Sequence, residues 1–247
     1  MTSSKPQIIL LAAGIGRRFG RRARKLPKCL IPLGSRNEHL LGRYLKSFAE
    51  LGLSDILIVV GHQARQIMSE CRKKADSSLK IRFIRNKEYR KGSILSLHCA
   101  LNALKRSAVI MDADVYFPTI LLKKFISNKK GSTFLADTRS KSHGEEMMLM
   151  AKNGRLWSIS KKLNPSLEPV GEATGFFMIE KKHLGLFKSV LRRLVRSGHA
   201  AAEYEEVYDA LLKKIRIGLV PVGKTFWTEM DFEADRGKIL KHFGLRR

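Results

Sequence analysis

The first residues that suggest chemistry are two glycines and two cations near the start of the chain. Gly14 and Gly16 come directly after the apolar run "IILLAA" at residues 8–13, and Arg18 and Lys28 belong to the basic loop that follows. Glycines after a buried strand let backbone N–H groups approach a phosphate closely, and cationic side chains neutralise its charge. The segment therefore favours a phosphate-bearing ligand, although a G-x-G pattern also occurs in turns beside solvated loops.

Two pairs of acidic residues could serve a divalent cation. Asp112 and Asp114 end the apolar run in "VIMDADVYF", and Glu229 and Asp231 lie in "FWTEMDFEAD" near the end of the chain. Mg²⁺ takes one or two carboxylates together with phosphate oxygens of a substrate, so one carboxylate from each segment would suit it. Aspartates at strand ends are also common turn residues, and these pairs alone leave both interpretations open.

The composition limits the class of protein in which these residues act. The chain has 247 residues, of which 44% are hydrophobic, enough for one substantial core. With 48 Lys and Arg against 22 Asp and Glu, its formal net charge of +26 attracts phosphates, nucleic acid or anionic lipid alike. No helix-turn-helix, RNP or zinc pattern accompanies this charge. A basic nucleic-acid-binding protein is therefore an alternative that charge alone supports.

The cysteines and the N-terminal residues bear on the compartment in which the protein works. Cys29, Cys71 and Cys99 are scattered and form no CxxC pair, which predicts free thiols. "MTSSKPQ" leads into an apolar run that is too short to span a membrane and has no signal-peptide cleavage site. We expect a cytoplasmic protein.

Short apolar runs must position the glycines and the acids. They are rich in Ile, Leu and Val without strict alternation, as in strands that are covered on both faces, and they lie at residues 8–13, 29–33, 55–61, 81–84 and 108–114. Leucines at helical spacing separate them at 39–52 and 93–106. This alternation predicts a mostly parallel α/β sheet, and ligands bind at the carboxyl edge of such sheets.

The second half of the chain has a different pattern. "EMMLMAKNGRLWSISKKL" predicts two strands joined at Asn-Gly, and "GEATGFFMIEKK" predicts another strand. Helical patterns follow at 181–197 and 203–214, then a strand in "IRIGLVPV" and a last helix from about Phe232. These elements would build the far wall of a cleft whose near wall is the parallel sheet.

The extended pattern "LAAGIGRRF…LPKCLIPLG" resembles the L-A-A-G-x-G-x-R-(x)n-P-K-x-L signature of the nucleotidyltransferases with the glycosyltransferase-A-like fold. "LSDILIVVGHQARQI", "VIMDADVYF" and "WTEMDFEAD" resemble later segments of the family, so the resemblance covers essentially the whole chain. "KGSILSLHCAL", "VGEATGFFMI" and "AEYEEVYDALL" are most similar to the phosphocholine-type cytidylyltransferase branch, with related branches for inositol-1-phosphate and alkylphosphonates. The resemblance implies a mostly parallel mixed sheet flanked by helices, Rossmann-like, in one domain over 1–247. Residues 1–130 would be its nucleotide-binding half and 131–247 its acceptor-binding half.

The resemblance also implies an activity and roles for residues. The enzyme would join an NTP, preferably CTP, to a small phosphorylated or phosphonate acceptor with Mg²⁺ and release pyrophosphate. Arg18, Lys28 and Asp114 would be catalytic, and Asp114 and Asp231 would bind the metal. The nucleotide would contact Leu11, Ala12, Ala13, Gly14, Gly16, Arg18, Lys28, Gly61, Ser96 and Asp112. The acceptor would contact Thr174, Gly175, Glu203, Trp227 and Glu229.

The acceptor and the further partners stay open at the level of sequence. Within the family, a sugar-1-phosphate nucleotidyltransferase that uses UTP, GTP or dTTP is the alternative. The basic loop carries more cations than a triphosphate needs, and "RRLVRSG" and the terminal "LRR" would favour weak contact with an anionic membrane or nucleic acid. A homo-oligomer is also compatible with the sequence.

Overall fold

The central feature of the fold is a sheet whose strands come from both halves of the chain. The computed structural model describes residues 5–34, 38–128 and 131–244; the terminal "LRR" and the side chain of Arg21 lie outside the described part. Its strands are β1 (Gln7–Ala12), β2 (Asp55–Val60), β3 (Lys80–Arg85), β4 (Ala108–Asp112), β5 (Val115–Tyr116), β6 (Thr133–Asp137), β7 (Met148–Lys152), β8 (Arg155–Ser160), β9 (Glu168–Ile179), β10 (Gly218–Pro221) and β11 (Thr228–Glu229).

The strand order brings the ends of β1 and β4 together. The main sheet runs β10-β6-β9-β4-β1-β2-β3, and β4, β1, β2 and β3 are parallel. The long strand β9 lies antiparallel between β4 and β6, and the hairpin of β7 and β8 pairs with it. Leu11 of β1 pairs with Asp112 of β4. The loop after β1 and the acids after β4 therefore leave the same edge of the sheet.

Both faces of the sheet are covered, as the unbroken apolar runs predict. All six residues of β1 are buried, and successive side chains enter two different hydrophobic clusters. Ile8 and Leu10 pack towards one helical layer, whereas Ile9 and Leu11 pack towards the other. A strand that is buried on both sides has no polar face, which explains why its sequence does not alternate.

Helices supply the two covering layers. They are α1 (Arg21–Lys25), α2 (Leu40–Glu50), α3 (Ala64–Lys74), α4 (Ser93–Cys99), α5 (Thr119–Ile126), α6 (Leu184–Arg196), α7 (Glu205–Leu212) and α8 (Glu233–His242). One layer contains α2, α3, α5 and α8, and the other contains α4, α6 and α7. Among the helices of the described ranges, none combines the length and apolar character needed to cross a bilayer.

The turn between β7 and β8 confirms the predicted hairpin. Asn153 and Gly154 have φ values of 50° and 69°, which is the left-handed backbone that a two-residue type I′ turn requires. Asn and Gly adopt this region more readily than other residues, so the "KNGR" signal acts through backbone conformation alone.

A small second sheet fixes the C-terminal acids over the end of β4. β11 pairs antiparallel with β5, with Glu229 opposite Val115, and the N–H of Met230 donates to the carbonyl oxygen of Asp114 at 2.8 Å. These backbone bonds hold Asp231 beside Asp114, although the two residues are far apart in the sequence.

Two expectations about local structure are wrong. "CLIPL" at 29–33 is not a strand; Lys28–Leu30 forms a 3-10 turn after Pro27. Pro32 has no N–H to donate to a sheet, which makes the run a poor strand despite its apolar character. The helix predicted over 93–106 ends at Cys99 and is followed by a 3-10 turn at Leu101–Ala103.

Candidate functional site

A cleft of about 780 Å³ opens at the carboxyl edge of the sheet, where ligands of parallel sheets bind. Ala13 and Gly14 after β1, Asp114 after β4, and Glu203 and Tyr204 before α7 contribute to its walls. Eleven of the chain's 22 acidic residues line this cleft, against five of its 48 lysines and arginines. The charge of the cleft is thus opposite in sign to that of the whole chain.

The centre of the site is a set of ion pairs between distant segments. The Nζ of Lys28 contacts Oδ2 of Asp114 and lies 2.6 Å from Oδ1 of Asp231. Nη2 of Arg18 lies 2.5 Å from Oδ2 of Asp231, and its Nη1 lies 3.1 Å from Oε2 of Glu145. The side chains of Lys28 and Asp231 are only 15% and 14% exposed. Their charges are therefore poorly screened by water, and each needs the other.

The sequence around Lys28 explains how this lysine reaches the cleft. Pro27 precedes the 3-10 turn that carries Lys28, and Gly16 lies beneath the lysine side chain with φ at 69°. A Cβ at Gly16 would lie 2.7 Å from Cγ of Lys28. This signature glycine therefore makes room for the lysine as well as permitting the left-handed turn.

The carboxylates keep Lys28 charged. Burial by itself lowers the pKa of a lysine, but Asp114 and Asp231 outweigh that effect and raise the pKa of Lys28 above its ordinary value. The neighbouring Asp112 differs, because burial and the charges of Asp114 and Glu205 raise its pKa well above the usual range. The hydroxyl of Tyr204 donates a hydrogen bond to Asp112 and partly opposes this rise.

A second group of acids lies beside the ion-paired centre. Burial and the charges of Asp114 and Asp112 raise the pKa of Glu229 well above its ordinary value. Burial raises the pKa of Glu205 to about 8, and burial also raises that of Glu172, whose carboxylate accepts a hydrogen bond from Ser140 at 2.6 Å. In this region charge repulsion and desolvation work together against ionisation.

The structure brings most of the predicted site residues to the cleft. Those that line it are Leu11, Ala13, Gly14, Arg18, Lys28, Ser96, Asp112, Asp114, Gly175, Glu203, Trp227, Glu229 and Asp231. Ser96 accepts a hydrogen bond from Nδ2 of Asn86 at 3.0 Å, and the indole N–H of Trp227 donates to Asp137 at 3.0 Å. Glu203 lies at the rim, 3.6 Å from Nζ of Lys161.

Four predicted residues are not among the described residues that line the cleft. Ala12 faces the opposite hydrophobic cluster, as the alternation along β1 requires. Gly16 lies behind Lys28, and a Cβ at Gly61 would lie 2.6 Å from Cβ of Tyr89, so both glycines serve close packing. Thr174 is buried and its hydroxyl donates to the carbonyl oxygen of Leu135 at 3.1 Å.

Sequence reasoning missed several polar residues of the cleft. Tyr204 holds Asp112, Glu145 pairs with Arg18, Asp137 accepts from Trp227, and Glu172 lies in the middle of β9. No local pattern marks these contacts, because the two residues of each contact lie between 32 and 127 positions apart in the sequence. Only the folded chain brings them into contact.

The comparison with known families places the chain among the NTP transferases. Residues 8–204 match the family described as MobA-like NTP transferase domain. The chain belongs to this family. The predicted resemblance to nucleotidyltransferases is thereby confirmed at the level of the family.

Two curated relatives of this NTP transferase are named as a transferase and as a phosphonate synthase. The "bifunctional IPC transferase and DIPP synthase" of Thermococcus kodakarensis is 23% identical over 227 residues, covering 90% of this chain and 47% of that protein. The "CMP-5'-(3-aminopropyl)phosphonate synthase" of Streptomyces rubellomurinus is 26% identical over 129 residues, covering 52% of this chain and 20% of that protein. The chain therefore spans less than half the length of either relative.

A solved structure has the same fold as this NTP transferase. The CTP:phosphocholine cytidylyltransferase from Streptococcus pneumoniae superposes with a TM-score of 0.79 at 18% identity, over 97% of this chain and 99% of that one. The predicted fold class, a mostly parallel mixed sheet flanked by helices, is confirmed.

The donor set of the site suits the metal that the family implies. No group of three or more metal-ligating side chains gathers within the described ranges. Asp114 and Asp231 nevertheless share a cation already, the ammonium group of Lys28. Two carboxylates fit Mg²⁺, which completes its coordination with water and substrate phosphate oxygens, and so these residues fit the ion.

We predict that Lys28→Met lowers the free energy of unfolding of the metal-free protein. The substitution leaves Asp114 and Asp231 facing each other without a cation, and we expect a loss of roughly 2 kcal/mol, below the ~3–5 kcal/mol of fully buried pairs because Asp114 is 27% exposed. Urea unfolding in EDTA measures it. Lys25→Met, at the exposed end of α1, is the control, and equal effects of the two substitutions would contradict the prediction.

We predict that Glu205→Gln stabilises the protein increasingly as the pH rises. Because the pKa of Glu205 is raised to about 8, the native state keeps a proton that the unfolded state loses from about pH 4.5 upwards. The stability advantage of Glu205→Gln over wild type should thus grow by roughly 2–4 kcal/mol between pH 5 and pH 9. Unfolding at both pH values measures it, with Glu206→Gln as the exposed control. A difference that does not change with pH rules the effect out.

Proposed function

We propose that this chain transfers a nucleotidyl group from an NTP, preferably CTP, to a small phosphorylated or phosphonate acceptor and releases pyrophosphate. One observation carries the proposal: Arg18 and Lys28 converge with Asp114 and Asp231 at the carboxyl edge of the sheet. Two cations that would bind phosphate and two carboxylates that would bind a metal ion thus lie in contact with one another in the cleft. The names of the relatives and of the structural neighbour support CTP and this class of acceptor.

The proposed reaction needs position and charge neutralisation rather than a nucleophilic side chain. An oxygen of the acceptor's phosphate or phosphonate forms a bond to the α-phosphorus in line, while the bond from that phosphorus to the departing pyrophosphate breaks. Both reactants are anions, so bringing them together is the main task of the protein. Lys28 and Arg18 would neutralise the α-phosphate and the departing pyrophosphate.

Asp114 and Asp231 would hold Mg²⁺, which when bound supplies positive charge to the phosphate oxygens of the substrate. With these carboxylates engaged, the side chains of Lys28 and Arg18 are released from their ion pairs and can contact phosphates. Asp112 would have a supporting role two residues before Asp114, and the hydroxyl of Tyr204 holds its carboxylate by a hydrogen bond. Cations and carboxylates thus neutralise one another before substrate arrives; afterwards Lys28 and Arg18 would neutralise the phosphates, and Asp114 and Asp231 would hold the metal ion.

The two halves of the chain would divide the substrates between them, within one domain. Leu11, Ala13, Gly14 and Ser96 line the part of the cleft that we assign to the nucleotide. Residues from 131–247, Glu229 among them, line the part that we assign to the acceptor. This division follows the topology, because β9, α7 and β11 all come from the later half.

A weak contact with an anionic membrane is a secondary part of the proposal. Arg192, Arg193 and Arg196 lie exposed on α6, and none of them has an acidic partner among the described residues. Such clusters attract anionic lipid surfaces. This contact would be compatible with catalysis, because α6 packs on the face of α4 and α7 and leaves the cleft open.

A pyrophosphate-release screen tests the proposed function. Four NTPs are combined with phosphocholine, inositol-1-phosphate, 2-aminoethylphosphonate and hexose-1-phosphates, and we expect release with CTP and one of the first three. Asp114→Asn and Lys28→Met should each lower the rate by ~100-fold or more, whereas Lys25→Met should not.

Two results, one from this screen and one from the screen together with a nucleic-acid binding assay, would overturn the proposal. Release with hexose-1-phosphates alone would favour the sugar nucleotidyltransferase alternative. Binding of duplex nucleic acid at physiological salt, with no release from any pair, would favour the nucleic-acid-binding alternative that the net charge of +26 supports.

A further inference from the structure

The residues that directly follow Asp231 contact several parts of the charged centre at once. They are Phe232 and the first turn of α8, and we call residues 232–236 the α8 turn. Their side chains reach the two segments that carry Arg18 and Lys28, across sequence separations of 211 and 204 positions. The proposed reaction gives these residues no role of their own, so their contacts need another explanation.

Asp235 fixes the backbone that carries the Asp231 carboxylate. Its Oδ2 accepts hydrogen bonds from the N–H of Asp231 at 3.2 Å and from that of Phe232 at 2.8 Å. Asp235 is only 9% exposed, so water competes weakly for these bonds. An acid in the first turn commonly caps its own helix, and the bond from Phe232 is of that kind. The bond from Asp231 lies one residue further out and fixes a residue that is proposed to bind the metal.

Arg236 holds the segment on the other side of the charged centre, the one that carries Lys28. Its Nε donates to the carbonyl oxygen of Pro32 at 2.8 Å, two residues after the 3-10 turn Lys28–Leu30. The side chain of Arg236 is 15% exposed, and its Nη1 lies 3.1 Å from Oε1 of Glu233 in the same helix. The α8 turn therefore contacts both segments whose side chains meet in the cleft.

Two further contacts of the α8 turn are exposed. Glu233 lies 2.8 Å from Nη1 of Arg22, but the two side chains are 52% and 56% exposed. The guanidinium of Arg18 lies 5.7 Å from the ring centroid of Phe232, which is also exposed. Exposed ion pairs and cation–π contacts contribute little because water screens them. We therefore assign the positioning to the two more buried residues, Asp235 and Arg236.

The proposed reaction requires such contacts, because the ion pair of Lys28 with Asp231 would not persist through it. Phosphates and a metal ion would replace that pair, while both segments must stay close to the same phosphates. Among the described strands, β11 pairs only with β5, so sheet hydrogen bonds do not join Asp231 to the turn of Lys28. The bonds of the α8 turn do not involve the charged groups that substrate would engage. They can hold the two segments together while the ion pair is exchanged.

We propose that Asp235 and Arg236 are positioning residues, which hold the carboxylate of Asp231 at its working distance from Lys28. Asp235 acts on Asp231 through the backbone, and Arg236 acts on Lys28 through Pro32. The inference rests on the proposed function, because it concerns the same metal ion and the same phosphates. It gives α8 a part in the reaction besides covering the sheet.

The affinity of the nucleotide-free protein for Mg²⁺, measured calorimetrically, tests the role of Asp235. Loss of a residue that orients a metal ligand typically lowers metal affinity 10–100-fold, and we expect Asp235→Ala to lower it at least ~10-fold. Asp235→Asn keeps an oxygen that can accept both backbone bonds, and it should bind Mg²⁺ as wild type does. Equal losses in Asp235→Ala and Asp235→Asn would contradict positioning through these bonds.

The variant Arg236→Met tests the other contact and separates positioning from a general weakening of α8. With CTP, Mg²⁺ and the acceptor that wild type uses best, its kcat for pyrophosphate release should fall ~10-fold. Its affinity for Mg²⁺ should equal or exceed that of wild type, because Asp231 keeps its place and only the competing Lys28 is loosened. Lys241→Met, an exposed cation at the end of α8, is the control and should change neither quantity.

The possible failures can be told apart. A Mg²⁺ affinity that falls as far in Arg236→Met as in Asp235→Ala would show a general weakening of α8 and overturn the inference. A wild-type kcat in Arg236→Met would also overturn it, and this result alone decides if Asp235→Ala does not fold. Both results leave the proposed function in place, provided that wild type releases pyrophosphate. No release by wild type from any pair of substrates would overturn the proposed function and the inference together.

Discussion

The contact of one ammonium group with two carboxylates organises this site. Lys28 comes from a turn after β1, Asp114 follows β4, and Asp231 follows β11. The parallel pairing of β1 with β4 and the short pairing of β5 with β11 bring these three segments together. Because all three side chains are mostly withdrawn from water, water screens their charges weakly, and their ion pairs hold the three segments together. The phosphates of the proposed substrates must therefore replace the carboxylates as partners of Lys28.

Local signals in the sequence were sufficient for much of the fold. Unbroken apolar runs predicted strands that are covered on both faces, and β1 has that environment. The Asn-Gly dipeptide predicted the hairpin of β7 and β8 because it acts through φ at two residues. Asp114 and Lys28 could be predicted for the site from local sequence. Asp114 follows the apolar run of a strand, and Lys28 follows Pro27 in the basic loop after the first strand.

The remaining features depend on contacts that no short segment encodes. "CLIPL" has the composition of a strand, but Pro27 before it and Pro32 within it favour a turn, and that turn carries Lys28 into the cleft. The contact of Tyr204 with Asp112 spans 92 residues, and that of Arg18 with Glu145 spans 127. Thr174 lies between two residues that line the cleft, and Gly61 follows β2, yet they pack against Leu135 and Tyr89 respectively. The packing of the two helical layers on the sheet decides which side chains of a strand face the cleft.

We infer that the ammonium of Lys28 competes with a metal ion, because it occupies the place where Asp114 and Asp231 would hold that ion. The most direct test is the affinity of the nucleotide-free protein for Mg²⁺, measured calorimetrically in wild type and in Lys28→Met. Removing the competing cation should raise the affinity at least ~10-fold, in keeping with the size of couplings between binding events at one site. An affinity in Lys28→Met that equals or falls below that of wild type would contradict the claim.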